Sequence, residues 1–431
     1  MLNIYREKIH NPLVKETFVY TITDVVGKAM SFVLLPVVSF YMPPDELGIA
    51  TNFTVVTTLI SLFAGLAVVN SLPYFFYEQK REDNTLMVSN LLILCMLLCA
   101  ALLVVIVGVH NIVQHHLALS PPIQLLSVLY VMGMLISQCS LILMRLENKA
   151  RQFAYLQLCQ IVFHAAAVLF FVITLKEGGI GKIYAEVVVF AVMGLVHLYI
   201  LYRKHYLKFI VSTTWMKKLL HFGVPLLPHS VSFWLKSGMD KVFITTFCGL
   251  QFNGFYSMAI SIGSIYTMLV QSFFNAYTPH LQKRLASFDD GEIHWAEKRI
   301  IVKQTYQLLF LFGLVGGFSL AASWVIFHYL IDKKYLPAME YMPIIILANF
   351  IYTFYNFTIQ YIYKVKKTFV MGIITFIGSL IQMLLSYYLI REYGVMGAVY
   401  SLLIGNILLA IGVSMYSNII YPMPWMNILR R

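Results

Sequence analysis

The ten residues GGIGKIYAEV, Gly178 to Val187, recur in a similar form as GVMGAVYSLL, Gly394 to Leu403. Both stretches read G-x-x-G-x-x-Y, and they lie 216 residues apart in a chain of 431 residues. A glycine and a proline earlier in each half also match, at a spacing of 206 residues: Gly48 with Gly254, and Pro73 with Pro279. These matches predict that the chain contains an internal duplication.

The composition is that of a membrane protein. Hydrophobic residues make up 60% and charged residues 12% of the chain, and the mean hydropathy is +0.77, whereas soluble domains carry about 25% charged residues. A hydrocarbon core about 30 Å thick requires about 20 apolar residues per helix. The sequence therefore predicts an all-α integral membrane protein. The twelve predicted spans are 14–41, 46–74, 85–108, 122–145, 150–174, 180–202, 218–246, 252–281, 302–331, 340–363, 367–390 and 395–420.

The basic residues are unevenly distributed. Of the 31 lysines and arginines, 23 lie in the two terminal segments and every second connection, and only five lie in the other connections. Because cytoplasmic loops are rich in lysine and arginine, both termini are predicted to be cytoplasmic. The same bias explains the net charge of +12 without a nucleic-acid partner. With six spans in each half, the duplication predicts two parallel six-helix lobes, residues 1–210 and 211–431, around a central cavity.

Two predicted spans carry an acid and a base four residues apart. Asp24 and Lys28 lie in the first span, and Lys236 and Asp240 lie in the seventh, followed by Lys241. Residues four apart share a helix face, and a charge facing lipid costs about 2.5–3.5 kcal/mol on insertion scales. We therefore expect these charged groups to face a cavity or each other.

Two interpretations of these charges stay open. In one, each pair is a structural salt bridge, and Lys241 extends to the outer interface. In the other, Lys28, Lys236 and Lys241 bind an anionic substrate in a water-filled cavity, and Asp24 and Asp240 hold the lysines in place or carry a proton. Glu186, four residues after Lys182, is either a further ion-coupling group or the partner of Lys182.

No motif of an enzyme, metal site or cofactor site occurs. The chain has no Walker loop, G-x-S-x-G motif, zinc-ligand spacing or dinucleotide fingerprint, and its five cysteines lie in or beside apolar runs without metal-type clustering. A membrane glycosyltransferase or polysaccharide polymerase is a rival class, but such enzymes generally carry a sizeable outer loop. The predicted outer connections here are short, so the sequence favours a transporter without a bound cofactor.

Three segments resemble bacterial polysaccharide flippases. They are residues 35–76 (LPVVSFYMPPDELG to SLPYFF), residues 222–281 (FGVPLLPHSVSFWLKSGMDKVFI to FNAYTPHL) and residues 393–406 (YGVMGAVYSLLIGN). The likeness extends over most of the chain and rests on glycines, prolines and apolar spacing. It points to the O-antigen and capsule repeat-unit flippases of the multidrug/oligosaccharidyl-lipid/polysaccharide exporter superfamily.

The resemblance implies a function. Such flippases move undecaprenyl-pyrophosphate-linked oligosaccharides from the cytoplasmic to the periplasmic leaflet of the bacterial inner membrane by alternating access, driven by a proton or sodium gradient. Their products serve O-antigen and lipopolysaccharide synthesis, so the implied partners are the lipid-linked glycan, membrane lipid, a polysaccharide polymerase and a chain-length regulator. An ion-coupled small-molecule exporter of the same superfamily is the alternative.

Overall fold

The computed structural model describes residues 12–78, 80–208, 210–288 and 295–425. These residues form thirteen helices of 11 residues or more and no strand. The helices are α1 (Pro12–Tyr41), α2 (Pro44–Gly65), α3 (Arg81–Leu117), α4 (Pro121–Leu146), α5 (Ala150–Leu169), α6 (Gly178–Arg203), α7 (Thr213–Gly223), α8 (Leu227–Phe247), α9 (Leu250–Ala286), α10 (Trp295–Val325), α11 (Met342–Val365), α12 (Thr368–Tyr393) and α13 (Val395–Ile420).

The predicted all-α membrane fold is confirmed. Eleven helices in the described part of the chain are long and apolar enough to cross a membrane, one fewer than the twelve spans predicted. The difference is α8, which has 21 residues and is therefore about 30 Å long. Its length is sufficient for a crossing, but Lys236, Asp240 and Lys241 make it less apolar than the other spans.

The predicted seventh span, residues 218–246, is divided in the structure. A 3₁₀ turn at Val224–Leu226 separates α7 from α8. Pro225 lies in this turn, and proline cannot donate the backbone hydrogen bond that would continue a helix. The short helix α7 is amphipathic, and its Trp215 packs on Phe75 with ring centres 6.0 Å apart.

The described chain divides into two compact units, Met1–Ser230 and Val231–Arg431. This division follows the packing of the helices, whereas the predicted boundary between residues 210 and 211 follows the repeat and stays a prediction. The direction in which the spans cross also stays a prediction. Four basic residues that contribute to it lie outside the described residues: Arg6, Lys8, Arg430 and Arg431.

The repeated glycine motif has the same packing role in both halves. A Cβ atom on Gly181 would lie 2.9 Å from the carbonyl oxygen of Phe171, and one on Gly397 would overlap the carbonyl oxygen of Leu389. In each case the second glycine of the motif lets a new helix pass close to the backbone that precedes it.

In the first unit, α4 and α6 touch through their backbones. A Cβ atom on Gly133 would overlap the carbonyl oxygen of Phe190, and one on Gly194 would lie 2.7 Å from the Cα atom of Gly133. Small residues at such a crossing allow the close van der Waals packing that holds membrane helices together.

Candidate functional site

In the second unit, α8 presents the amine of Lys236 to α11 and α13. Its Nζ atom donates a 2.7 Å hydrogen bond to Oδ1 of Asn406 and lies 4.6 Å from the centre of the Tyr352 ring. Asn406 is itself oriented, because its Nδ2 donates to the carbonyl oxygen of Ala348 at 2.8 Å. Neutral groups on two neighbouring helices therefore hold the amine in place.

Asp240, one turn further along α8, is 2% exposed. Its Oδ1 accepts a 2.5 Å hydrogen bond from the hydroxyl of Ser386, and its Oδ2 accepts a 3.1 Å hydrogen bond from the hydroxyl of Tyr256. The oxygen of Ser401 lies 2.7 Å from that of Ser386. The buried carboxyl group thus finds its partners on α9 and α12, which meets the requirement that a buried polar group be hydrogen-bonded.

The predicted pairing of Lys236 with Asp240 is replaced by these separate contacts. Within the described residues no ion pair joins the two side chains. The four-residue spacing places them on one face of α8, as expected. Each side chain, however, turns toward a partner on another helix that is closer to it.

A cavity of about 300 Å³ in the second unit brings the three charges of α8 together. Lys236, Asp240 and Lys241 all line it, with the aromatic ring of Tyr352 and the amide of Asn349. A second, smaller cavity of about 30 Å³ adjoins Lys236 on the side of Gln382. Lys236 therefore lies in the wall between two cavities.

In the first unit, Asp24 binds partners that the helical spacing did not indicate. Arg145 of α4 lies 3.2 Å from both carboxylate oxygens, and Nε2 of Gln157 on α5 donates to Oδ1 at 3.2 Å. The guanidinium of Arg145 also lies 4.4 Å from the centre of the Phe153 ring. Lys28 is exposed and forms no ion pair within the described part of the chain.

A third cavity, of about 240 Å³, lies beside this contact in the first unit. Its walls include the polar side chains of Ser31, Gln157, Gln160 and His164. Gln157 therefore connects the Asp24 carboxylate to the cavity. Glu186, on α6, forms a 3.5 Å ion pair with Lys182.

Several residues of these sites were missed from the sequence. Arg145 was not identified as the partner of Asp24, and Asn406, Gln157 and Gln160 were not considered. Amide side chains inside apolar runs were the available signal, because polar groups in membrane spans usually face other protein or a water-filled cavity.

The chain resembles known proteins in both sequence and fold. Residues 13–284 match the model of the family described as polysaccharide biosynthesis protein, whereas a comparison with curated proteins finds no match. An inward-facing structure of a multidrug resistance MATE family transporter of the MOP superfamily is 14% identical, over 91% of this chain and 94% of that one, with a TM-score of 0.69. The lipid II flippase MurJ in an inward closed conformation is 14% identical, over 94% of this chain and 91% of that one, with a TM-score of 0.68.

At this identity the two structures show a shared fold, while the family model covers well over half of the sequence. The chain therefore belongs to the polysaccharide biosynthesis protein family and has the fold of the MOP superfamily, as the resemblance predicted.

Proposed function

We propose that this protein is a flippase for undecaprenyl-pyrophosphate-linked oligosaccharides. It carries single repeat units from the cytoplasmic to the periplasmic leaflet of the bacterial inner membrane, where a polymerase and a chain-length regulator assemble O-antigen or a related surface polysaccharide. The observation that carries the proposal is Lys236, an amine within the hydrophobic part of the protein that lines a cavity of about 300 Å³.

The contacts of Lys236 suit the binding of an anion. Its Nζ atom is held by an amide oxygen and an aromatic ring, and neither contact neutralises an ammonium charge. A diphosphate can bind such an ammonium through short, charge-assisted hydrogen bonds, which are about twice as strong as neutral ones. Lys241 lines the same cavity, so a second cation is close to the same ligand.

The rest of the cavity suits the part of the substrate next to the diphosphate. Its lining includes the hydroxyls of Ser237, Ser264 and Thr267 and the ring of Tyr352. Hydroxyl groups can both donate to and accept from a sugar or a phosphate, and the apolar ring gives the sugar a surface on which to pack. The polyprenyl chain would remain in the lipid.

An ion gradient, of protons or sodium, supplies the driving force in this proposal. Asp240 is the best candidate for the coupling group, because two hydroxyls donate to its buried carboxylate, and a hydroxyl can rotate to accept a hydrogen bond when the carboxyl group takes up a proton. Asp24 and Glu186 are weaker candidates, since Arg145 and Lys182 already bind them. Lys28 provides an exposed cation on α1 that can attract the diphosphate.

Deletion of the gene in its native host tests the proposal. We expect single lipid-linked repeat units to accumulate in the cytoplasmic leaflet and surface polysaccharide to be lost. Wild-type protein and a Lys333→Met control, which changes an exposed lysine distant in sequence from α8, should restore the polysaccharide, whereas Lys236→Met at the same membrane level should not.

Two outcomes would contradict the proposal. Normal polysaccharide together with sensitivity to small drugs would identify a small-molecule exporter. Accumulation of repeat units in the periplasmic leaflet would instead place the defect after translocation and would identify a polymerase.

A further inference from the structure

We propose that the first unit carries a separate glycan-binding subsite, the α1–α5 pocket, formed by Ser31 of α1 and by Gln157, Gln160 and His164 of α5. The subsite binds hydroxyl groups of the sugar portion of the substrate and so selects among repeat units. This inference rests on the proposed function, because it assigns the sugar to the first unit and the diphosphate to Lys236.

The position of the pocket fits a ligand that enters the membrane. Gln160 lies ten residues into α5, which is about 15 Å along the helix axis. Toward the start of α5, Gln157 joins the pocket to Asp24 and Arg145, whose side chains are both 43% exposed. Exposed charges on membrane helices are costly in lipid, so this face of the first unit is expected to be wet.

Two glutamines that line the pocket have amide oxygens that lack partners. The amide oxygens of Gln157 and Gln160 are both buried, and neither accepts a hydrogen bond from another protein group. A buried polar atom without a partner costs about 1–3 kcal/mol. A sugar hydroxyl is a donor that can satisfy each oxygen, and the amide nitrogen of Gln160 and the ring nitrogens of His164 can bond to further hydroxyls.

The charges around the pocket favour a neutral ligand. Its lining contains no carboxylate, lysine or arginine, and charges near it are paired, Arg145 with Asp24 and Lys182 with Glu186. Phe190 and Ile161 supply apolar walls, against which the C–H face of a sugar ring can pack. The volume of about 240 Å³ equals roughly eight waters at about 30 Å³ each, which is enough for a monosaccharide.

The contrast with the second unit strengthens the assignment. There the cavity presents two lysines and one carboxylate, that of Asp240, and this excess of cations suits an anion. The α1–α5 pocket presents amides, an imidazole and a hydroxyl, which suit a polyol. The two ends of a lipid-linked sugar, its diphosphate and its glycan, differ in the same way.

Binding to the purified full-length protein tests this assignment. The probes are a short-chain polyprenyl diphosphate and a panel of the same lipid carrying different single hexoses or N-acetylhexosamines. We expect wild-type protein to bind at least one glycosylated probe more tightly than the bare diphosphate, by about 3- to 10-fold for each hydrogen bond gained. Gln160→Leu should abolish this preference.

Three variants make the result interpretable. Gln152→Leu, the same substitution at an exposed position of the same helix, should keep the preference. Gln160→Asn, which retains an amide but shortens the side chain, should reduce it and serves if Gln160→Leu does not fold. Lys236→Met should weaken binding of all probes by a similar factor and so leave the preference intact.

The proposal is overturned if wild-type protein shows no preference for any glycosylated probe, or if Gln160→Leu and Gln160→Asn both retain the preference. If Lys236→Met leaves the affinities for the bare and the glycosylated diphosphates unchanged, the diphosphate site at Lys236 is refuted. The sugar preference of the Gln160 variants still tests the α1–α5 pocket in that case.

Discussion

Replacement of Lys236 by methionine separates a ligand-binding role from a structural one. Methionine has a similar length but carries no charge. If the amine binds a diphosphate, its loss removes charge-assisted hydrogen bonds worth about 1.5–3 kcal/mol, so the affinity for a polyprenyl diphosphate should fall by about 12- to 150-fold. The affinity that remains should also depend less on salt concentration, because one ionic contact is lost.

The stability of Lys236→Met should change little. The variant loses the 2.7 Å hydrogen bond to Asn406 and the contact with the Tyr352 ring. It leaves Oδ1 of Asn406 without its donor, but the variant also no longer carries a charge that must be removed from water on folding, and this gain offsets the loss. Because these two effects oppose each other, we expect the free energy of unfolding to stay within about 1 kcal/mol of the wild-type value.

Two measurements on the same purified protein check this prediction: titration with the polyprenyl diphosphate, and thermal unfolding without ligand. Lys333→Met is the matched control and should alter neither. An unchanged affinity together with a loss of about 3 kcal/mol or more in stability would refute the reasoning, since it would make Lys236 a structural counter-charge for Asp240.

Four further substitutions test the packing and polar contacts. Gly133→Ala should destabilise the protein by several kcal/mol, because its Cβ atom would overlap the backbone of α6. Gly317→Ala is the control: a Cβ atom there has no neighbour within 4 Å, so the substitution should be neutral or slightly stabilising. Thermal unfolding measures both effects. Asp240→Ala should cost about 1–3 kcal/mol by leaving the hydroxyl of Tyr256 without its acceptor, and an unchanged unfolding temperature would contradict that contact. Burial raises the pKa of Glu147, but its hydrogen bonds from Lys149, Tyr206 and Lys204 together lower that pKa more, so it lies below 4.5. The unfolded chain therefore binds more protons than the folded protein at acidic pH. The stability that Glu147 contributes is complete above about pH 4.5 and is lost as pH falls through the lowered pKa. In unfolding measured against pH, Glu147→Gln should remove this part of the acid dependence.

The fold was largely accessible from the sequence, because the length of an apolar run is dictated by the thickness of the bilayer. Ten of the twelve predicted spans correspond to single long helices, and the last two helices closely match the predicted limits, whereas α3 extends nine residues beyond its predicted end and α10 begins seven residues before its predicted start. The break before α8 was missed, because a search for long apolar runs counts Pro225 as an apolar residue. It takes no account of the backbone hydrogen bond that proline cannot donate.

The partners of the charged groups were not accessible. Helical spacing identifies residues on one face, and it suggested Lys28 as the partner of Asp24. The actual partner, Arg145, is 121 residues away, and the acceptor for Lys236 is 170 residues away at Asn406. These contacts depend on which helices are neighbours, and one sequence alone does not contain that information.

The backbone contact between Gly133 and Gly194 has a consequence for how substrate choice can evolve. Because the backbones of α4 and α6 are in direct contact there, substitutions that add volume at Gly133 or Gly194 would disrupt the unit before they could alter its ligand. The amides of the α1–α5 pocket lie on a different helix, α5, which can exchange side chains without disturbing that contact. We therefore expect natural variation in the sugar accepted to be concentrated on α1 and α5, while the crossing of α4 and α6 is inherited unchanged.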